Sequence, residues 1–146
     1  FWEIMKKQHL YNIVFVMAFI FSGHSQTALG KWKTIDDETG KAKSVVEIYE
    51  NNGKIYGKVV EIFDKTKEGK LCDKCEGAKK NKPVMGMVIL EGLSKKGSSW
   101  EGGTILDPNS GKMYKCTISL ENKDKLKLRG YVGISLLGRT QFWERI

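Results

Sequence analysis

From Lys31 to Ile146 the chain repeats one pattern: a short alternating or β-branched run, then a turn signal, about every ten residues. The runs are Lys31–Ile35, Ser44–Glu50, Lys54–Phe63, Val84–Glu91, Ser99–Leu106, Lys112–Glu121, Lys125–Val132 and Gly138–Ile146. Asp36–Gly40, Asn51-Asn52-Gly53 and Asp107-Pro108-Asn109-Ser110-Gly111 separate them, all residue types that suit turn backbone. Residues 64–83 form a long polar connection. Helical periodicity is nearly absent, so the chain is all-β. Eight runs joined mostly by tight turns suit a single eight-stranded antiparallel up-and-down barrel, which removes exposed edges by closing on itself. A sandwich shares many of these signals, but its Greek-key crossings need more long connections than this chain offers. Gly57, Gly86, Gly102, Gly103 and Gly130 fall inside or beside runs, where a small barrel needs sharp bends and close approaches.

Strand phase says what faces inward. In the sixth run Tyr114, Cys116, Ile118 and Leu120 share one face, and Lys115, Thr117 and Ser119 the other. Cys116 is thus expected as a small core residue. Leu126 and Leu128 alternate with Lys125, Lys127 and Arg129 in the seventh run, and Tyr56, Val60 and Ile62 fall in phase in the third. Phase alone does not distinguish a filled barrel from a hollow one.

The N-terminus sets the compartment. Lys6 and Lys7 precede an apolar stretch, Ile13–Phe21, followed by Ser22, Gly23 and Ser25. Positive, apolar, then small is the order of a secretory signal peptide, with an apolar core short for a bilayer span. The expected signal is 1–25, starting natively at Met5, and the expected domain is 26–146. An uncleaved membrane anchor is the alternative. Such a protein is exported, to the periplasm or beyond. The formal net charge of +8 then points to anionic envelope surfaces or acidic ligands, or merely to a solvated lysine coat, and not to nucleic acid. Once the signal is removed, no transmembrane segment is expected.

Both histidines, His9 and His24, lie in the expected signal, so Ser-His and Cys-His catalysis have no base in the domain. Asp36-Asp37 reads as a hairpin cap. Cys72-Asp73-Lys74-Cys75 lies in the long loop. Zinc would want four ligands, and haem attachment a histidine where Glu76 stands. Neighbouring lysines favour a thiolate, so a thiol–disulfide role stays open. The preferred reading is a local disulfide formed after export, a loop staple contributing at the low end of roughly 0–5 kcal/mol. No cofactor, metal site or catalytic residue is expected.

Aromatic residues are plentiful and line either a core or a ligand pocket. Trp100 beside Glu101, Tyr114, and the Arg129-Gly130-Tyr131 group are the candidate ligand contacts, with Arg129 suited to an anionic head group or to a cross-strand ion pair. The leading expectation is a carrier or sensor holding a small apolar or amphipathic molecule inside the barrel. A filled barrel acting as an envelope structural or interaction protein is the second, and an exported thiol–disulfide protein the third.

Gly30-Lys31-Trp32 at the first strand, with Arg139 and Arg145 on the last, resembles the lipocalin arrangement, in which an arginine covers that tryptophan. The resemblance implies that Trp32 and Arg145 (or Arg139) close one end of the barrel, guanidinium stacked on indole. Four stretches, GKWKTIDDETGKAKSVVEIYE, KPVMGMVILEGL, WEGGTILDPNSGKMYKC and LKLRGYVGISLLGRTQFWERI, resemble the bacterial secreted family called domain of unknown function 2147. That resemblance implies a lipocalin-like barrel in an envelope or extracellular setting. It implies no activity and carries over no functional residue.

Overall fold

A computed structural model describes residues 26–134 and 136–146; the expected signal, 1–25, lies outside them. The strands are β1 (Gly30–Ile35), β2 (Ala42–Asn51), β3 (Lys54–Ile62), β4 (Val88–Lys96), β5 (Ser99–Asp107), β6 (Lys112–Asn122), β7 (Lys125–Tyr131) and β8 (Gly138–Arg145). Each pairs antiparallel with the next, and β8 returns to β1 to close the barrel. Single 3-10 turns, Lys65–Lys67 and Gly77–Lys79, interrupt the long connection. Among the described residues no helix is long and apolar enough to cross a membrane.

The turn chemistry worked as the sequence required. Asn52 and Gly53 both take positive φ, 51° and 78°, the geometry a two-residue hairpin needs to match strand twist. Two departures from the sequence reading have local causes. The fourth strand begins at Val88 rather than Val84, because Val84 N–H bonds back to the Lys70 carbonyl and Gly86 turns the chain at φ 81°. The third strand buries Ile55, Val59 and Ile62, while Tyr56 and Val60 remain only half-buried. Val45 lies opposite Glu61 and Val46 opposite Val59, so Val60 is an extra residue. That bulge flips the phase between the two halves of the strand. Tyr56 instead stacks on Tyr49, centroids 5.9 Å apart.

The interior is densely filled from the β1 start towards the middle. Trp32, Trp143, Leu90, Leu93, Ile118 and Leu126 are all buried there. A Cβ on Gly57 would meet Val46 Cγ1 at 2.9 Å and Leu90 Cβ at 3.0 Å, so this glycine is where two neighbouring strands' side chains use the space. Gly103 does the same under Leu93.

Candidate functional site

Up-and-down connectivity gives the barrel two unlike ends. At one end sit residues 26–29 and the tight β2–β3, β4–β5 and β6–β7 turns. Trp32 is fully buried there and its indole N–H donates to the Ala28 carbonyl at 2.8 Å. The Arg145 guanidinium lies 4.1 Å from the ring centroid. It donates to the carbonyls of Leu29 (2.9 Å), Thr27 (2.7 Å) and Lys123 (2.6 Å). One cation thus caps the indole and satisfies three backbone acceptors, tying the segment before β1 and the β6–β7 turn to β8. Register decides the partner, since Trp32 lies opposite Arg145 in the β1–β8 ladder. Arg139 instead pairs with Asp37 at the far end. Trp100 also belongs to the plugged end, buried beneath the Lys95 ammonium 3.8 Å from its ring.

The opposite end carries the longer loops. Cys72 and Cys75 form a disulfide whose sulfurs are buried with the core. Cys72 N–H donates to the Lys82 carbonyl at 2.8 Å, closing the loop on itself, and Lys70 Nζ reaches Asn109 Oδ1 at 2.8 Å. A Cβ on Gly111 would overlap the Lys74 carbonyl, so the stapled loop lies directly against the β5–β6 turn. The clip therefore shapes a docked, core-covering segment, where sequence suggested a local stiffener. Its sulfurs are out of a redox partner's reach while the loop stays docked. Replacing both cysteines with alanine is expected to lower stability by roughly 2 kcal/mol, the chain-entropy value for so small a ring. Urea unfolding with and without reductant measures it, and an unchanged midpoint would show that the clip is dispensable. Cys116 is equally inert: burial pushes its thiol up to about 12.

Between the stapled loop and the β6 start lies an open cleft of about 410 Å³. Leu106, Met113, Tyr114 and Val132 supply apolar wall, Lys79 and Lys112 bring positive charge, and Glu76 one negative charge. Lys79 is already engaged, donating to the Val88 carbonyl at 2.9 Å and to Glu91 at 3.0 Å. Beside the cleft, on β8, Arg139 and Gln141 both donate to Asp37 Oδ2. That carboxylate, by hydrogen bonding first and charge second, pushes the Arg139 guanidinium pKa further up.

The four candidate ligand contacts do not converge. Tyr114 lines the cleft, and Trp100 sits at the plugged end. Arg129 and Tyr131 pair with Thr117 and Lys115, on the opposite strand face from buried Cys116 and Ile118. Arg129 donates to Thr140 Oγ1 at 3.0 Å and to the Leu136 carbonyl at 3.2 Å, bracing the β7–β8 loop. Sequence reasoning passed over Met113, Val132 and Gln141. Stepping by two from buried Trp143 would have placed Gln141 and Arg139 on the inward phase of β8. Val132 and Met113 carry no comparable signal. Among the described residues no three His, Cys, Asp or Glu side chains cluster as a metal site would require.

A family model described as an uncharacterized protein conserved in bacteria (DUF2147) matches residues 30–145. Among curated proteins, none matches. A solved structure titled "Protein HP1028 from the human pathogen Helicobacter pylori belongs to the lipocalin family" is similar in fold. It superposes with a TM-score of 0.73 and 24% sequence identity, over 82% of this chain and 83% of that one.

Proposed function

We propose, from the premise that this chain belongs to the bacterial DUF2147 family, that it is an exported binding protein taking a small amphipathic molecule at the loop end of its barrel. The observation that carries this is the cleft itself: apolar Leu106, Met113, Tyr114 and Val132 beside Lys112, with Lys79 and Glu76 also on its lining and Lys79 held by Glu91. Its volume falls within the range of small-molecule sites. An alkyl or aromatic body would lie along the apolar wall, with an acidic head group towards Lys112. Export rests on the charged, apolar, small order of residues 5–25, and a disulfide is in keeping with an oxidising compartment. The dense packing around Gly57 and Gly103 favours a second reading, in which the barrel is simply filled and works through its surface.

Native and denaturing mass spectrometry of protein from an exporting host separates the two. The binding reading expects extra mass that vanishes on denaturation, and saturable binding of a fluorescent long-chain carboxylate. Met113→Glu should weaken that binding by about tenfold, the scale of one apolar side chain's burial. A bare protein with no saturable uptake would leave the filled barrel.

A further inference from the structure

The β7–β8 loop departs from everything else on this surface. Val132, Ile134, Leu136 and Leu137 are 65%, 59%, 83% and 72% exposed, and no charged residue occurs between Tyr131 and Gly138. Among the described residues nine large apolar side chains are exposed, and all but Phe142 and Ile146 belong to this end of the barrel. Scattered exposed apolar residues are ordinary; a concentration on one hairpin tip is not.

The tip is held out by construction. Leu137 N–H donates to the Ile134 carbonyl at 3.1 Å, closing a turn, and Arg129 holds the Leu136 carbonyl from the base. Gly138 packs so closely on Gly130 and Tyr131 that a side chain there would collide with backbone. The surroundings are basic. Val132 shares the cleft with Lys112, with Lys79 (already paired to Glu91) and with Glu76, and residues 64–83 carry seven lysines against four acids. Two of the three acids of the β1–β2 turn, Asp36 and Asp37, are already occupied, and exposed Glu38 is the third. Asp36 accepts from the Glu38 and Thr39 N–H groups, and Asp37 from Arg139 and Gln141.

We propose that this loop end docks on an anionic phospholipid surface, Ile134, Leu136 and Leu137 entering the headgroup–acyl boundary while the neighbouring lysines meet lipid phosphates. An apolar tip rimmed by cations is the combination that interfacial binding rewards, because burial and charge attraction act together. A protein partner would more often offer a pocket with paired polar rims. The proposal does not rest on ligand uptake: Ile134, Leu136 and Leu137 do not line the cleft.

The test is flotation of the folded protein with vesicles of phosphatidylglycerol and phosphatidylcholine, against phosphatidylcholine alone. The expected result is association with the anionic vesicles that falls with added salt, and drops about tenfold or more in Ile134→Glu/Leu136→Glu. Leu136→Ser/Leu137→Ser serves as a second variant without added negative charge, and both are checked for an unchanged melting curve. No flotation of the native chain, or equal flotation of both variants, overturns the proposal. So does a native dimer that the variants dissolve while no vesicle binding is seen, since the tip would then bury itself in a second copy.

Discussion

Trp32→Ala is expected to lower the unfolding free energy by about 3–5 kcal/mol, the range for removing a large buried aromatic side chain. The loss exceeds simple transfer because the indole is buried on every side, and neighbours on different strands cannot all collapse into the gap. Its removal also strips Arg145 of its stacking partner and leaves the Ala28 carbonyl without a donor. Urea unfolding followed by the remaining tryptophans gives the value. Arg145→Lys separates the contributions: a lysine keeps the charge but cannot serve three carbonyls and an indole face together, so a smaller loss is expected. A change below about 1 kcal/mol for Trp32→Ala would mean that the plugged end is not what holds the barrel shut.

Gly111→Ala is the second large effect, and it acts on the opposite end. At φ 71° an alanine is strained by about 1–2 kcal/mol on backbone grounds alone. Its methyl would also overlap the Lys74 carbonyl, and relieving that costs about 1–3 kcal/mol or undocks the stapled loop. Gly40→Ala is the matched control. Its φ is 69°, yet nothing lies within 4 Å of the added carbon, so only the backbone cost applies. The expected result is a markedly larger loss for Gly111→Ala, with faster proteolysis within 64–83 and faster reduction of the Cys72–Cys75 bond. Equal losses for the two glycines would show that the loop does not lean on the β5–β6 turn.

These two ends also mark where sequence reasoning reached and where it stopped. Strand existence was legible because period-two alternation and turn residues are local properties of the chain. The eight strands lie within a few residues of their runs; Cys116, Ile118, Leu126 and Leu128 are buried as strand phase requires, while Tyr114 and Leu120, at the ends of the same β6 face, are half-buried. The third strand's phase was missed because a bulge is agreed between two strands, and neither segment announces it alone. The β4 start was misjudged for a related reason: Val84 reads as strand, but its N–H is taken by Lys70, fourteen residues earlier in the chain.

The candidate site was less legible than the fold. Tyr114 was singled out as an aromatic on an inward face, but the cleft also takes Val132 and Met113 from two different hairpins. Nothing in the sequence around either residue says that they meet. Of the exposed tip, the sequence puts only Val132 at the end of a strand run; Ile134, Leu136 and Leu137 fall between runs, and nothing local says that these apolar side chains stay exposed.

The chain's sequence by itself determined an all-β barrel, its strand count, the short-range clip between Cys72 and Cys75, and the lack of histidine chemistry in 26–146. All of these follow from residue identity and short spacings. Tertiary structure decided which arginine covers Trp32, which glycines stand against another backbone, and that the stapled loop docks on the β5–β6 turn. It alone put the apolar tip beside the lysines. Those outcomes depend on register and closure, which are set only when β8 meets β1 and every strand's stagger must fit the ring at once.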